Sequence, residues 1–193
     1  MKLFFFDLET TGVNFWQHGI HQISGCIEID GEVREHFDFK VAPNPAAKID
    51  QEALDIGGVT LEQIQGYAHM SIGYLALVGL LGKYVDKYKK TDKFYLVGFN
   101  NASFDNPFLR AFFVQNGDNY FGSWFWSNPL DTFILATPVL MRERAGMTDF
   151  KLKTVCRQMG IEVDESRLHE ASYDIDLTRQ LYYRCVPRGP VKI

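Results

Sequence analysis

The stretch LFFFDLETTG, residues 3–12, decides how the rest of the chain is read. Four large apolar residues lead into Asp7, Leu8 and Glu9 before Thr10-Thr11-Gly12 makes a turn, which is the length and composition of a buried strand. Side chains alternate along a strand, so Asp7 and Glu9 point to the same face of the sheet, at the strand's C-terminal end. Open α/β sheets keep their ligand sites beyond the carboxyl ends of strands, and two acids there are placed to meet a divalent cation. A lone Asp-x-Glu is a weak signal, because a solvated strand end reads the same way.

Working outward, runs at 21–29 and 33–41 flank Asp30-Gly31, a two-residue hairpin signal, so the first three strands read as a meander. Pro43 and Pro45 end the sheet, and Glu52, Ala53 and Leu54 begin helical composition. Thr60 and Gln63 have capping-box spacing, which starts a helix at Leu61, and a further helix is predicted over 74–88. KFYLVGF at 93–99 reads as another buried strand closing on Asn100 and Asn101, followed by a helix over 103–115. The aromatic residues at 124–126 suit a last strand or a loop, and 128–130 a turn, with Asp131 or Thr132 capping a helix through 133–137. Helices at 150–159 and 172–185 complete an α/β domain with a mixed sheet.

The chain has 193 residues, 46% of them hydrophobic and 23% charged, which suits one core and a single domain over 1–193. A formal charge of −4 excludes a broad basic surface, so any contact with a polyanion is local. Cys26, Cys156 and Cys185 lie far apart without CxxC spacing, arguing against a disulfide framework or a zinc site and for a reducing, cytoplasmic setting. The longest apolar run, 72–81, is about half the ~20 residues of a membrane helix, and no membrane partner is expected. The run at 3–6 is too short for the apolar centre of a secretion signal.

Two predicted helices carry an acid on their apolar stripe. Asp105 shares a face with Phe108, Leu109 and Phe112, and Asp174 with Leu177, Thr178 and Leu181. An ionised acid facing the core is costly unless paired or metal-bound, although the positive end of a helix alone is worth ~0.3–1 kcal/mol to it. If Asp7, Glu9, Asp105 and Asp174 converge, repulsion is roughly 3 kcal/mol per pair at ~6 Å, and six pairs exceed ordinary domain stability. Cations or protonation must relieve it. Two divalent ions would balance four carboxylates, and the rest of the chain then carries 20 acids against 20 bases. All-oxygen ligands favour Mg²⁺ or Mn²⁺ over zinc, and a pair of ions suits phosphodiester hydrolysis. His169, five residues before Asp174, would point away from it on one helix, which places His169 on the preceding loop. There its imidazole could take a proton from an attacking water.

These residues resemble the DEDDh group of 3′-to-5′ exonucleases, which includes the proofreading epsilon subunit of bacterial DNA polymerase III. Three motifs match in order: FDLETTG at 6–12, VGFNNASFD at 97–105 and HEASYD at 169–174. The segments at 53–63 and 130–132 are similar to the family as well, and the likeness covers residues 2–182. It implies an RNase H-like fold with a five-stranded mixed sheet flanked by helices. It further implies two Mg²⁺ or Mn²⁺ ions held by Asp7, Glu9, Asp105 and Asp174, with Asp7 bridging both and His169 as general base. Leu8, Thr10 and Thr11 would hold the terminal nucleotide, and Asn101 and Phe104 are weaker candidates for substrate contact. Phe99 stands where many relatives carry histidine, which puts one substrate-strand contact in doubt.

The expected function is therefore removal of nucleoside 5′-monophosphates from the 3′ end of single-stranded or frayed DNA. RNA is the nearest alternative substrate, and a non-catalytic, polymerase-associated nucleic-acid-binding module is the alternative of another class. The low global charge points to a polymerase or helicase partner. The rings at Phe121, Trp124, Phe125 and Trp126 are read as core filling ahead of base stacking.

Overall fold

A computed structural model describes residues 1–168 and 170–186. Three strands come first, β1 (Lys2–Thr10), β2 (Ile20–Ile29) and β3 (Glu32–Lys40), followed by three helices, α1 (Gln51–Ile56), α2 (Leu61–Gln65) and α3 (Met70–Gly82). Then come β4 (Tyr95–Gly98), α4 (Asp105–Gln115), α5 (Phe121–Trp124), β5 (Leu130–Asp131) and α6 (Thr132–Leu140). Two further helices, α7 (Leu152–Gln158) and α8 (Ala171–Cys185), close the series. The sheet order is β3-β2-β1-β4-β5, with the first three strands antiparallel and β4 and β5 parallel to β1. The expected five-stranded mixed sheet is present, with β1 at its centre and β3 outermost.

The hairpin forms where Asp30-Gly31 places it, both residues at positive φ (52° and 89°), as a two-residue turn between twisted strands requires. Thr60 accepts from the Gln63 amide while the Gln63 side chain accepts from the Thr60 amide, the capping box read from the sequence. β1 alternates as a central strand should. Phe4, Phe6 and Leu8 join the core that includes Leu77 of α3 and Phe108, Leu109 and Phe112 of α4, whereas Leu3 and Phe5 join Ile175 and Tyr182 of α8 on the other face. A third cluster, including Ala136, Val155 and Leu177, binds α6, α7 and α8 together.

Two elements differ from the sequence reading. The fifth strand is Leu130–Asp131, paired with Val97 and Gly98, and not 124–126. Trp124 closes α5 and Phe125 makes only a single bridge to Phe94, so those rings serve as core; Phe121, Trp124 and Phe125 are all buried. α3 starts and ends earlier than 74–88. The His69 side chain accepts from the Ser71 amide and caps the helix start, while the Tyr84 and Val85 amides turn back to Leu81, which brings Val85 into the core. No helix among the described residues is long and apolar enough to cross a membrane.

Candidate functional site

Four acids meet around the end of β1. Asp7 and Glu9 lie on the face that α8 covers further back along the strand, and both are half-buried. Asp105, in the first turn of α4, is buried at 3% exposure, and its Oδ1 accepts from the Leu8 amide at 3.1 Å. That bond ties α4 to β1 between the two strand acids. Asp174 sits in the first turn of α8, whose Ile175, Leu177 and Leu181 pack inward.

The electrostatics register the convergence. Burial, then the charges of Asp105, Glu9 and Asp174, hold the Asp7 carboxyl well above the usual carboxylate range. Burial pushes Asp105 up to about 7, opposed by the amides of Leu8 and of Asp105 itself and assisted by the charges of Asp131 and Glu9. Among the described residues no three His, Cys, Asp or Glu side chains are grouped as ligands of one ion. The donor chemistry, carboxylate oxygen throughout, fits hard divalent cations, which would remove the penalty that Asp7 and Asp105 carry.

A backbone frame supports the acids. α8 is pinned to β2 by Arg179, whose Nε donates to buried Glu28 at 2.5 Å, and by the Tyr183 hydroxyl, which also donates to Glu28. Asp131, buried at the end of β5, accepts through Oδ1 from Asn100 (2.9 Å) and Phe133 (2.9 Å), and through Oδ2 from Ala102 (3.0 Å). The sequence reading gave Asp131 only the cap of α6. Its further partners lie 29 and 31 residues upstream, and nothing local signals them. Glu28 was missed outright, its partners lying 151 and 155 residues away.

The remaining candidate residues are placed as follows. The Leu8 amide is used by Asp105. The Thr10 hydroxyl donates to the Gly12 carbonyl at 2.8 Å, and the Thr11 hydroxyl bridges the Lys48 carbonyl (2.6 Å) and the Gly19 amide (2.9 Å), so both brace the loop beyond β1. Asn101 is fully buried; its Nδ2 donates to Asn106 Oδ1 at 3.3 Å and its Oδ1 has no protein partner. Phe104 immediately precedes α4 and packs on Phe108 at a centroid distance of 5.1 Å. Phe99 meets Phe133 edge-on at 5.6 Å. His169 lies outside the described residues.

One depression adjoins the acids and another lies along α4. A polar cleft of about 580 Å³ beside Glu9 runs over Gln22, Ser24, His36 and Lys40, walled by Gly57 and Gly58 and by Ala171 and Ser172 at the start of α8. A more apolar groove of about 660 Å³ follows the outer side of α4, past Pro107, Arg110 and Val114 to Trp126.

Comparison with known proteins agrees with this architecture. The profile of a family described as Exonuclease (RNase_T) matches residues 4–182. The DNA polymerase III PolC-type protein of Mycoplasma pneumoniae is 26% identical over 181 residues, covering 92% of this chain and 11% of that protein. Ribonuclease T of Photorhabdus laumondii is 27% identical over 189 residues, covering 94% of this chain and 82% of that protein. The chain thus spans about a tenth of the polymerases it matches and most of the ribonuclease. Among solved structures, E. coli exonuclease I in complex with a dT13 oligonucleotide superposes with a TM-score of 0.72 at 20% identity, over 95% of this chain and 41% of that one. By its profile the chain belongs to the Exonuclease (RNase_T) family, and its fold is the RNase H-like fold that exonuclease I shares.

Proposed function

We propose that residues 1–193 form one exonuclease domain that removes nucleoside 5′-monophosphates from the 3′ end of single-stranded or frayed DNA. The observation that carries this reading is the convergence of four acids, which raises the proton affinity of Asp7 through burial and the charges of the other three. Asp7, Glu9, Asp105 and Asp174 would hold two Mg²⁺ or Mn²⁺ ions. Such ions neutralise charge on the scissile phosphate and make bound water acidic enough to attack at neutral pH.

The chain's own residues supply position and proton transfer. Asp7 lies central to the group, Asp105 is oriented by the Leu8 amide, and Asp174 rides on a helix locked to β2. His169 is the proposed general base. Ala171 and Ser172, just after it in the chain, line the cleft beside Glu9. Leu8, Thr10 and Thr11 are assigned to the terminal nucleotide, with Asn101 and Phe104 as weaker contacts, although none of the five lines the cleft beside Glu9. We also assign a reducing, intracellular setting and a polymerase or helicase partner that supplies the grip a chain of net charge −4 lacks.

The test is hydrolysis of 3′- and 5′-labelled single-stranded DNA and RNA with Mg²⁺, Mn²⁺ or EDTA, alongside Asp7→Ala. A ladder growing from the 3′ end, lost with EDTA and with the variant, is expected. RNA is the second reading, favoured by the ribonuclease T relative whose length this chain nearly matches. A faster ladder on RNA would select it. A folded, metal-loaded protein that cuts neither polymer would mark a binding module instead.

A further inference from the structure

We infer that Asp131 is a positioning residue: its buried carboxylate holds the turn at Asn100 and Ala102, and through that turn sets where α4 presents Asp105. The inference rests on the reading of Asp105 as a metal ligand.

Capping α6 needs one oxygen of Asp131, the one that accepts from Phe133. The same oxygen also takes the Asn100 amide, and the second oxygen takes Ala102. Among the described residues no Lys, Arg or His makes an ion pair with this acid. Its charge, at 3% exposure, is therefore met by backbone N–H groups. The residue it holds is an unusual one. Asn100 is one of two non-glycine residues with positive φ among those described (63°), a conformation that needs support.

From that turn the constraint passes directly to Asp105. The Asn100 carbonyl accepts from the Phe104 amide at 3.2 Å and the Asn101 carbonyl from the Asn106 amide at 2.8 Å, so the residues on either side of Asp105 hang from the turn. Asn101 is itself pressed over Gly98, where a Cβ would come within 2.7 Å of the Asn101 Cβ. On its far side the Asp105 carboxylate is tied to Leu8. Asp105 is thus stretched between two anchors, β1 through Leu8 and β5 through Asp131.

Asp, Asn and Ser serve about equally well as helix caps, which separates this role from capping alone. Asp131→Asn keeps the oxygen that serves Phe133 and Asn100 but loses the acceptor for Ala102, and Asp131→Ser keeps only the cap at Phe133. Mn²⁺ alone is titrated calorimetrically into wild type, Asp131→Asn, Asp131→Ser and Asp105→Asn, with kcat and KM measured on a labelled oligonucleotide. The expected order of Mn²⁺ affinity is wild type, then Asn, then Ser. Ser should fall ~10–100-fold below wild type, and kcat should fall while KM holds. Wild-type affinity and kcat in both Asp131 variants would overturn the inference and leave Asp131 a cap. If Asp105→Asn hydrolyses as wild type does, the reading of the acid site fails instead. Should the Asp131 variants not fold, amide exchange in the wild-type protein decides. Protected Asn100 and Ala102 amides are expected, and exchange at open-loop rates would overturn the proposal.

Discussion

The two halves of β1 are built for opposite ends. From Leu3 to Phe6 every side chain is at most 1% exposed, whereas Asp7 and Glu9, two and four residues further on along the same face as Phe5, put charge where that pattern calls for another apolar side chain. Fully burying such an apolar side chain is worth about 1.5–3 kcal/mol, whereas crowding carboxylates beside one another costs energy that only protons or cations relieve. The comparison teaches that this strand holds its acids together by anchoring them to an apolar neighbour a few ångströms away. Stability and chemistry sit in adjacent stretches of one element.

The largest expected effect breaks the acid half. Asp7→Ala should abolish hydrolysis, a loss beyond ~10³-fold, and with it the rise in melting temperature expected on adding Mg²⁺. Gel assays and thermal melts with and without metal check both, and survival of either alone would contradict a site centred on Asp7. Breaking the apolar half acts on stability instead. Phe5→Ala, which removes a ring packed edge-on against Tyr182 at 5.7 Å, should cost ~3–5 kcal/mol in denaturant unfolding.

Neutralising a buried acid should do the reverse. The Asp105 carboxyl is raised to about 7 in the fold from an ordinary 3.8, so the folded state is penalised above pH 7 and relieved as pH falls towards 4. Metal-free Asp105→Asn should therefore be more stable than wild type at pH 8, by about 2–4 kcal/mol, and inactive. Equal stability at pH 8 would show that the acid is already relieved without metal.

The smallest effect concerns His21, the extra residue that β2 carries where its pairing shifts from Gln22 opposite Glu9 to Ile20 opposite Thr10. Its buried ring has no hydrogen-bond partner, and burial, with the charge of Lys40, lowers its pKa from 6.5 to about 4. A depressed histidine is protonated more readily in the unfolded chain, so it withdraws stability as pH falls from 6.5 to 4, by about 3 kcal/mol in all. That slope opposes the one from Asp105 over nearly the same range. Metal-free Asp105→Asn should lose stability steeply on acidification, whereas His21→Leu should lose less than wild type does. Parallel melting curves across pH 4–7 for the two variants would refute the opposition.

The parts legible in the sequence were those in which a local pattern states the answer. A short run of large apolar residues gave β1, Asp-Gly gave the hairpin, Thr60 and Gln63 gave a helix start, and the acids on apolar stripes marked Asp105 and Asp174. β5 was illegible because its two residues gain strand character only from Val97 and Gly98 beside them. The aromatic run at 124–126 looked more like a strand because rings favour sheets and cores alike. The frame around the acids was hidden for a related reason. Glu28 looks like an ordinary polar residue of a strand until Arg179 and Tyr183 arrive from the other end of the chain.

The outermost strand has a consequence for crowded solutions. Along β3 the exposed positions are Glu32, Arg34, His36, Asp38 and Lys40, every second residue, on an edge with no strand beyond it. A second copy aligning against that edge would have to bring this fringe of mixed charges into register with its own and strip water from it. Desolvating those charges is a cost that any strand-to-strand association along this open nine-residue edge must meet.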